Sequence, residues 1–474
     1  MRAMAMGFAV ALLLTLLLTP LVRQLALRLG ALDPFSARKV RKPSTVPRLG
    51  GLGIAVAFYF TVGLLWLLGS TVARATISPE TPVGLILLGG VPILLLGIID
   101  DLHGLRALPK LLVQTVVGVA LWWSGLRVLG ASSLHGSVEL YGFVSCAATV
   151  LWLVAVINAV NLIDGLDGLA SGVVLFALGT TTLAALWRGE LLLALLTGTL
   201  MGAVLGFLRY NWAPASIMMG DTGSLFLGYL LAATSIWSVR KSATAVLVVF
   251  PVVALGLPLL DTSLTISRRL LAGRPVMQAD RDHVHHRLLG HGLPVQKVVL
   301  LLYAACAVFS ALSLGMVLVE RTLARLCLLT AVIFALGLSY GFGYLRLGPK
   351  GLFIALRHRR RTRQLLQLLQ ELGPQLQAAQ TQQELDVQVT RFAVAIGLSL
   401  SLQPLSSQSA PPPAAGPKTH YPVGSREAVL AQLTVDAPES QLRPDEQILL
   451  QLLCDQLAPV VQRLAVRGPV VNTF

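Results

Sequence analysis

Long apolar runs dominate this sequence and limit the folds that it can adopt. Runs of roughly 17 to 25 residues recur up to about residue 345, and each is long enough to cross a bilayer as a helix. Hydrophobic residues make up 55% of the 474-residue chain and charged residues only 12%, which excludes an ordinary water-soluble globular protein. The sequence therefore predicts an all-α polytopic membrane protein.

Eleven of these runs are predicted to be transmembrane helices. They lie near residues 5–27, 50–69, 83–99, 110–124, 143–162, 169–187, 190–208, 223–239, 243–266, 298–318 and 323–345. The first run could be mistaken for a signal peptide. It has no evident A-x-A cleavage site and is long enough to span, so we interpret it as the first helix.

Basic residues indicate the orientation of these helices. The loops at 38–48 and 268–287 are rich in Lys and Arg and have the same parity, so both are predicted to be cytoplasmic. With eleven helices, the N-terminus then lies outside and the C-terminus inside. The formal net charge of +15 is explained by such loops and does not indicate nucleic-acid binding, although these cations also suit anionic headgroups or a nucleotide diphosphate.

The apolar density falls after about residue 350. Residues 1–350 are therefore predicted to form a transmembrane domain, and residues 351–474 a soluble cytoplasmic α+β tail. Within the tail, 391–402 and 426–436 look like strands and 445–464 like a closing helix, whereas the Pro- and Ser-rich segment 406–420 is predicted to be a flexible insert. The four cysteines are widely spaced and imply neither a disulfide framework nor a Cys-based metal site.

A polar stripe interrupts the fifth run in the sequence NAVNLIDGLDGLASG. Its members recur at every third position: Asn158, Asn161, Asp164 and Asp167. Such side chains at the edge of a membrane are costly unless a cation or a phosphate occupies the site. Residues three apart drift around an ideal helix, so convergence needs a break, which Gly165 and Gly168 can supply. Their oxygens suit Mg²⁺, with Mn²⁺ as a substitute; the alternative is a polar seam between helices.

Two adjacent carboxylates, Asp100 and Asp101, end the third predicted helix. One could act as a base and the other as its electrostatic partner, or both could simply cap a solvated helix end. Lys110 follows ten residues later and could be a snorkelling interfacial lysine.

The segment MMGDTGSLFLG predicts a tight turn and then a helix that begins near Ser224. Free N–H groups of that helix could receive a phosphate while Asp221 binds a metal; the alternative is that Asp221 or Ser224 only caps the helix.

A histidine-rich loop follows the ninth run and contains His283, His285, His286 and Arg287. Its spacing matches no standard zinc site, and the arginine would repel a divalent cation, so phosphate binding is favoured over metal binding. The alternative is a basic loop that only sets topology. Like the other three clusters, this loop is predicted to emerge on the cytoplasmic side.

Taken together, these clusters resemble the polyprenyl-phosphate N-acetylhexosamine-1-phosphate transferases of glycosyltransferase family 4. Members of that family carry, in order, K-P-x-x-x-P-x-x-G-G, D-D, N-x-x-N-x-x-D-G-x-D-G-L-A, G-D-x-G-S-L and a histidine loop. This chain matches each motif, the first at 42–51 in RKPSTVPRLGG, and the resemblance covers about residues 5–345.

The resemblance implies a role for each candidate residue. Asp100 and Asp101 would handle the lipid phosphate and its proton. Asn158, Asp164 and Asp167 of the polar stripe would face the nucleotide sugar. The implied catalytic residues are Asp100, Asp101, Asp164 and Asp167. The implied substrate-binding residues are Lys110, Asn158, His283, His285, His286 and Arg287. The implied metal ligands, for Mg²⁺ with the diphosphate, are Asn161 and Asp221.

The histidine loop reads H-V-H-H-R-L, which resembles the GlcNAc branch of the family and not the MurNAc-pentapeptide branch. The implied reaction joins UDP-GlcNAc, or a related UDP-HexNAc, to undecaprenyl phosphate, releases UMP, and starts the synthesis of a cell-surface polysaccharide at the cytoplasmic face of a bacterial inner membrane. The sequence leaves open whether the reaction is one displacement or two displacements through a covalent aspartyl intermediate. It also leaves open which hexosamine is transferred and whether the protein is a homodimer. The tail resembles a shortened GAF domain in pattern only.

Two other functions fit the sequence less well. A secondary transporter for an anionic sugar or nucleotide would place carboxylates near mid-bilayer and often shows inverted repeats, but here the carboxylates lie at helix ends and no repeat is visible. A CDP-alcohol phosphotransferase would need D-G-x-x-A-R, and the segment 164–170 lacks that arginine.

Overall fold

The computed structural model describes most of the chain. The described residues are 1–32, 46–69, 81–128, 130–133, 136–140, 142–240, 245–272, 283–290, 292–342, 367–396, 398–404, 419–424, 429–436 and 444–467. The chain divides into two compact units, the first comprising Met1–Ser267 and Val276–Arg346, the second Arg268–Pro275 and Leu347–Phe474. The predicted domain boundary at residue 350 stays a prediction, because residues 343–366 lie outside the described ranges.

Helices account for nearly all of the first unit. They are α1 (Arg2–Arg28), α2 (Gly50–Leu67), α3 (Val83–His103), α4 (Ala107–Trp123), α5 (Gly142–Ile163), α6 (Leu169–Trp187), α7 (Leu191–Asn211), α8 (Gly220–Arg240), α9 (Ala245–Ala254), α10 (Gly256–Ala272), α11 (Val284–Gly290), α12 (Val295–Leu318) and α13 (Arg321–Gly341). A short antiparallel hairpin, β1 (Gly130–Ser133) and β2 (Gly136–Glu139), precedes α5. Over its described residues, each of the eleven predicted runs is therefore mainly helical.

Within the described residues, eight helices are long and apolar enough to cross a membrane. They are α1, α2, α3, α5, α6, α7, α12 and α13, and α4 is a shorter apolar helix. These helices confirm a polytopic membrane protein. The prediction of one continuous ninth helix is wrong, because the run is split into α9 and α10 at Leu255. Pro258 lies in the first turn of α10, the part of a helix where its missing N–H costs least, which favours a new helix that begins just before it.

The helix α8 lies at the centre of the bundle. It packs along α3, α5 and α2, and its side chains from Thr222 to Ser238 are buried. Glycines on the neighbouring helices allow this close approach, because a Cβ at Gly97 of α3 would lie 2.5 Å from the Thr222 Cα, and one at Gly51 of α2 would lie 2.0 Å from the Gly223 nitrogen. The packing therefore brings the ends of α2 and α3 against the start of α8.

The motif at 42–51 contributes to this same contact. Residues 42–45 lie outside the described ranges. Leu49 adopts a left-handed conformation with φ +80°, and the N–H groups of Gly50 and Gly51 donate to the carbonyls of Met218 and Met219 at 3.0 and 2.9 Å. The glycine pair thus joins the start of α2 to the segment that leads into α8.

The second unit is an α+β fold. After a helix at 367–378, α14, come α15 (Gln382–Ile396), β3 (Leu400–Pro404), β4 (Thr419–Gly424), β5 (Val429–Val435) and α16 (Pro444–Arg467). The strands form one antiparallel sheet in the order β3-β5-β4, and α16 packs on β4 and β5. Residues 405–418, most of the predicted insert, lie outside the described ranges.

Two of the three predictions for tail elements are confirmed, the strand over 426–436 as β5 and the closing helix as α16. The strand predicted over 391–402 is wrong for its first half, since residues 391–396 belong to α15 and β3 begins only at Leu400. The buried residues Leu385, Val389, Phe392 and Ile396 of α15 recur every three or four positions. That helical period continues through the segment and decides its structure.

Candidate active site

Three side chains from three helices meet at one end of the bundle. The Lys110 Nζ of α4 donates to Oδ2 of Asp100, at the end of α3, and to Oδ2 of Asp221, at the start of α8, both at 2.8 Å. All three side chains are partly buried. One cation between two carboxylates leaves this group with a net negative charge, in a position where only partial solvent screening applies. We call Asp100, Lys110 and Asp221 the carboxylate cluster.

Asp101 follows Asp100 directly, but its carboxylate binds the backbone at the start of α8. It is buried, and its carboxylate accepts hydrogen bonds from the N–H groups of Asp221 and Thr222, at 3.0 and 2.9 Å, and from the Thr222 hydroxyl at 2.6 Å. A carboxylate at this position caps the first turn of α8. Asp101 therefore positions Asp221 through its backbone, whereas Asp100 binds the Lys110 ammonium.

The capping by Asp101 corrects two expectations about α8. The helix begins at Gly220 and not near Ser224. Its first N–H groups are therefore not those near Ser224 that were predicted as a phosphate site but those of Asp221 and Thr222, which donate to Asp101. The reason is the close packing of α3 on α8, which brings a carboxylate from another helix to the cap position.

Asn161 connects the polar stripe to the carboxylate cluster. Its Nδ2 donates to Oδ1 of Asp221 at 3.0 Å and to the Ser224 hydroxyl at 2.9 Å, so that α5 is tied to the start of α8. Neither bond uses the amide oxygen. Asn161 and Asp221, predicted together as metal ligands, are thus neighbours in the structure.

Asn158 lies one turn before Asn161 but faces a different helix. Its Nδ2 donates at 2.7 Å to Oε1 of Gln114 in α4, and at the same distance to the Val154 carbonyl. Gln114 is completely buried and was not predicted as a site residue. Its only signal in the sequence was its spacing of four from Lys110, which puts both on one face of α4. Asn158 forms the interhelical polar seam that was the alternative for this stripe.

The predicted break in the stripe is present. The helix α5 ends at Ile163, Gly168 has φ +75°, and α6 begins at Leu169. Asp164 lies half-buried in the turn between them. Asp167 is buried, and its Oδ2 accepts from the Ala215 N–H at 2.9 Å, which ties the turn to the segment after α7.

Further side chains fix the turn between α5 and α6 by hydrogen bonds. The Tyr303 hydroxyl of α12 donates to the Gly168 carbonyl at 2.6 Å, and Asn211 Oδ1 accepts from the Gly168 N–H at 3.2 Å and from the Ser171 hydroxyl at 2.7 Å. With Asp167 they form a buried scaffold. The structure therefore brings Asn161 to the carboxylate cluster, but uses Asn158 and Asp167 to hold helices and turns together.

The three histidines of the loop are arranged as a row at the start of α11. The rings of His283 and His285 are parallel with centroids 5.8 Å apart, and those of His285 and His286 are 4.4 Å apart at 44°. Arg287 Nη1 donates to the carbonyl of Phe342 at 3.1 Å, which ties the loop to the end of α13.

The histidine row contacts the turn after the polar stripe. A Cβ at Gly165 would lie 2.3 Å from Nε2 of His285, so only glycine leaves room for this ring. His285 is buried, and burial, with the nearby His286, lowers the pKa of its imidazole to about 3. The ring is therefore neutral at physiological pH. Through Gly165, the histidine row and the polar stripe become parts of one site.

Asp261 of α10 is a further residue that sequence reasoning missed. Its carboxylate lies 2.9 Å from Nδ1 of His283 and accepts from the Val284 N–H at 3.0 Å. A single acid within the apolar segment GLPLLDTSL was the signal that could have revealed it.

The donors present suit a cation that shares its coordination with a substrate. Within the described ranges, no three His, Cys, Asp or Glu side chains converge as a ready-made metal site. Asp221, Asn161 and Asp100 supply carboxylate and amide groups at one place, and their two carboxylates outnumber the single Lys110 cation, so the place stays negative. Mg²⁺ usually takes only one or two carboxylates and completes its shell with water and phosphate oxygens, so the residues fit that ion.

Comparison with known proteins identifies similar sequences. Residues 83–239 match the family model described as glycosyl transferase family 4. The chain is 39% identical over 312 residues to a probable undecaprenyl-phosphate N-acetylglucosaminyl 1-phosphate transferase of Bacillus subtilis, covering 65% of this chain and 84% of that protein. It is 34% identical over 332 residues to a decaprenyl-phosphate N-acetylglucosaminephosphotransferase of Mycobacterium tuberculosis, covering 64% and 80%. A phospho-N-acetylmuramoyl-pentapeptide-transferase of Moorella thermoacetica is 35% identical over 267 residues, covering 52% and 80%.

Proposed function

The chain belongs to glycosyltransferase family 4, and from that membership we propose that it transfers N-acetylglucosamine 1-phosphate from a UDP-sugar to a polyprenyl phosphate. The acceptor is undecaprenyl phosphate, and UMP is released. The observation that carries the proposal is the carboxylate cluster, in which Asp100 and Asp221 flank Lys110 at 2.8 Å. Support also comes from the relatives of B. subtilis and M. tuberculosis, which are named for such a transfer and are covered over 84% and 80% of their lengths.

The lipid phosphate attacks the β-phosphorus of the donor, and the residues of this chain supply orientation and charge. Asp100 is held by the Leu105 N–H and by Lys110, so its carboxylate is placed to accept or orient the acceptor's proton. The Lys110 ammonium offsets negative charge between the two phosphates. Positioning and electrostatic stabilisation of this kind supply most of the acceleration in phosphoryl transfer.

We propose Mg²⁺ as the cofactor, with Mn²⁺ as a substitute. Asp221 and Asn161 would hold the ion, supported by the amide bond of Asn161 to Asp221 at 3.0 Å. When bound, the ion neutralises charge on the diphosphate of the donor. The histidine row with Arg287 would contact the diphosphate and sugar, and Asp164, half-buried in the turn after α5, would face the nucleotide sugar.

The topology proposed for this reaction has eleven spans, the N-terminus outside and the C-terminus inside, in a bacterial inner membrane. The basic loops support it, as does the position of the four polar clusters after the third, fifth, seventh and ninth predicted runs. The active site then lies on the cytoplasmic face, and the lipid product would start a cell-surface polysaccharide. The tail is proposed to be a shortened GAF-like domain, and a homodimer is the proposed assembly.

The test is incubation of the purified full-length protein with undecaprenyl phosphate, Mg²⁺ and a panel of UDP-sugars, with the lipid product identified by mass. We expect a GlcNAc-diphosphate lipid and an equal amount of UMP. Asp100→Asn and Asp221→Asn should abolish this product, whereas Asp386→Asn, an acid of the tail helix α15, serves as the matched control. Absence of lipid product with every UDP-sugar, or normal UMP release by both site variants, would contradict the proposal.

The transporter hypothesis is not favoured, because the similar proteins are named as transferases. Proteoliposomes separate the two functions directly. A transporter would accumulate the intact nucleotide sugar inside the vesicles, whereas the proposed enzyme would convert it to lipid product and UMP.

A further inference from the structure

Asp261 is a buried acid that directly follows the apolar start of α10. Its relative exposure is 2%, and it lies in α10 within the segment PLLDTS. An acid in such a position is costly unless both oxygens have partners, so its presence calls for an explanation. None of the roles proposed above uses this residue.

Both oxygens of Asp261 are directed at the histidine loop. Oδ2 lies 2.9 Å from Nδ1 of His283, and Oδ1 accepts from the N–H of Val284 at 3.0 Å. The first bond sets the rotation of the imidazole ring, and the second fixes the backbone where α11 begins. One carboxylate therefore determines both the place and the orientation of His283.

The bond also determines which nitrogen of His283 is available. An aspartate that accepts from Nδ1–H leaves Nε2 as the nitrogen that can meet another group. Within the described part of the chain, Nε2 of His283 has no hydrogen-bond partner. The ring is stacked parallel to His285, which in turn contacts Gly165 of the turn after the polar stripe. Asp261 thus meets the histidine row at His283, whereas Gly165 of the turn after the polar stripe meets it at His285.

We propose that Asp261 is a positioning residue for His283, and that it presents Nε2 of that ring to the diphosphate of the nucleotide donor. This inference rests on the proposed function. Asp261 does not touch the substrate in this role. A carboxylate that orients an imidazole through Nδ1 while Nε2 acts on a ligand is a recurring arrangement in enzyme sites.

A double-mutant cycle tests this role. Asp261→Asn keeps the size of the side chain but removes the charge, and we expect it to lower kcat/KM for UDP-GlcNAc by roughly 10- to 100-fold, the range for losing a hydrogen bond to a charged group. In the His283→Ala background the same substitution should change kcat/KM by less than about 2-fold. Thr265→Val, a buried hydroxyl one turn further along α10, is the control and should stay within about 2-fold of wild type.

The same cycle is measured on UDP binding by calorimetry, which does not depend on turnover. Full additivity of the two substitutions would overturn the proposal, because Asp261 would then act by a route other than His283. The folding of Asp261→Asn is judged by its thermal unfolding in detergent. If that variant does not fold, Asp261→Glu replaces it in the cycle with His283→Ala, and its effect on kcat/KM should again depend on whether His283 is present. A wild-type protein that binds UDP with a coupled Asp261–His283 pair but makes no lipid product would refute the proposed function and leave this inference standing.

Discussion

Lys110 and Asp221 are 111 positions apart in the sequence, yet the Lys110 ammonium lies 2.8 Å from the Asp221 carboxylate. The same ammonium binds Asp100 at 2.8 Å. Without it, two carboxylates from different helices would face each other in a partly desolvated position, where like charges repel strongly. The contact therefore joins α3, α4 and α8 and gives the site its central cation.

Removing this cation should impair the reaction. We expect Lys110→Met to lower kcat/KM for UMP release by roughly 10- to 100-fold, because bonds to two carboxylates are lost. Lys110→Arg keeps the charge and should retain more activity than the methionine variant. Wild-type activity in Lys110→Met would exclude a role for this cation.

The adjacent acids Asp100 and Asp101 should respond differently to the same substitution. Asp101→Asn weakens the cap of α8 and should destabilise the protein by roughly 1–3 kcal/mol, lowering its thermal midpoint in detergent. Asp100→Asn should instead abolish UMP release with little change in that midpoint. Equal thermal midpoints for the two variants would show that Asp101 does not cap the helix.

Gly165 should be intolerant of any side chain because of His285. A Cβ there would lie 2.3 Å from His285 Nε2, so Gly165→Ala should cost roughly 1–3 kcal/mol of stability. Adding His285→Ala removes the clash and should restore much of the thermal midpoint, even though the double variant loses the ring. Gly179→Ala in α6 is the control, since its nearest neighbour is the Met201 sulfur at 3.6 Å. A midpoint unaffected by Gly165→Ala would contradict the contact.

Two glycines of α2 provide a test of the helix contact that forms the site. A Cβ at Gly51 would lie 2.0 Å from the backbone nitrogen of Gly223, whereas one at Gly63 meets nothing within 4 Å. Gly51→Ala should therefore lower the thermal midpoint clearly, because backbone cannot move aside as a side chain can. Gly63→Ala should leave it unchanged, and similar losses for both would argue against a close approach of α2 and α8.

The buried histidine predicts how stability depends on pH. Burial, and to a lesser extent the charge of the neighbouring His286, lowers the pKa of His285 to about 3. A histidine in an unfolded chain has a pKa near 6.5. Between these values the unfolded chain binds a proton that the folded chain does not, so stability falls as the pH decreases from about 6.5 towards 3. His285→Gln should flatten this dependence in chemical unfolding in detergent between pH 7 and pH 5. An unchanged slope in the variant would show that His285 is not held neutral.

Much of the fold could be predicted because the bilayer imposes a simple rule. A run of apolar residues must satisfy its backbone within one helix, so each predicted run is mainly helical over its described residues. The exceptions have local causes. Pro258 favours a second helix within the ninth run, and the helical period of Phe392 and Ile396 overrides the strand prediction in the tail.

The sequence predicted the site only as a set of polar residues. It did not predict the structural role of each of them. Neighbouring residues on a helix point about 100° apart, so the order Asp100-Asp101 does not say which acid meets Lys110 and which caps α8. The same holds for Asn158 and Asn161, one of which faces Gln114 and the other Asp221.

Run length and polarity are local properties, and they suffice to predict a bundle of membrane helices with particular polar residues at the helix ends. Tertiary packing is needed to show that Asp100, Lys110 and Asp221 form one cluster. It also shows that Asp101 and Asp167 bind backbone N–H groups and that Asp261 binds His283. Those contacts join residues that are distant in the chain. They depend on how closely glycine-lined helices approach one another, which no single segment encodes.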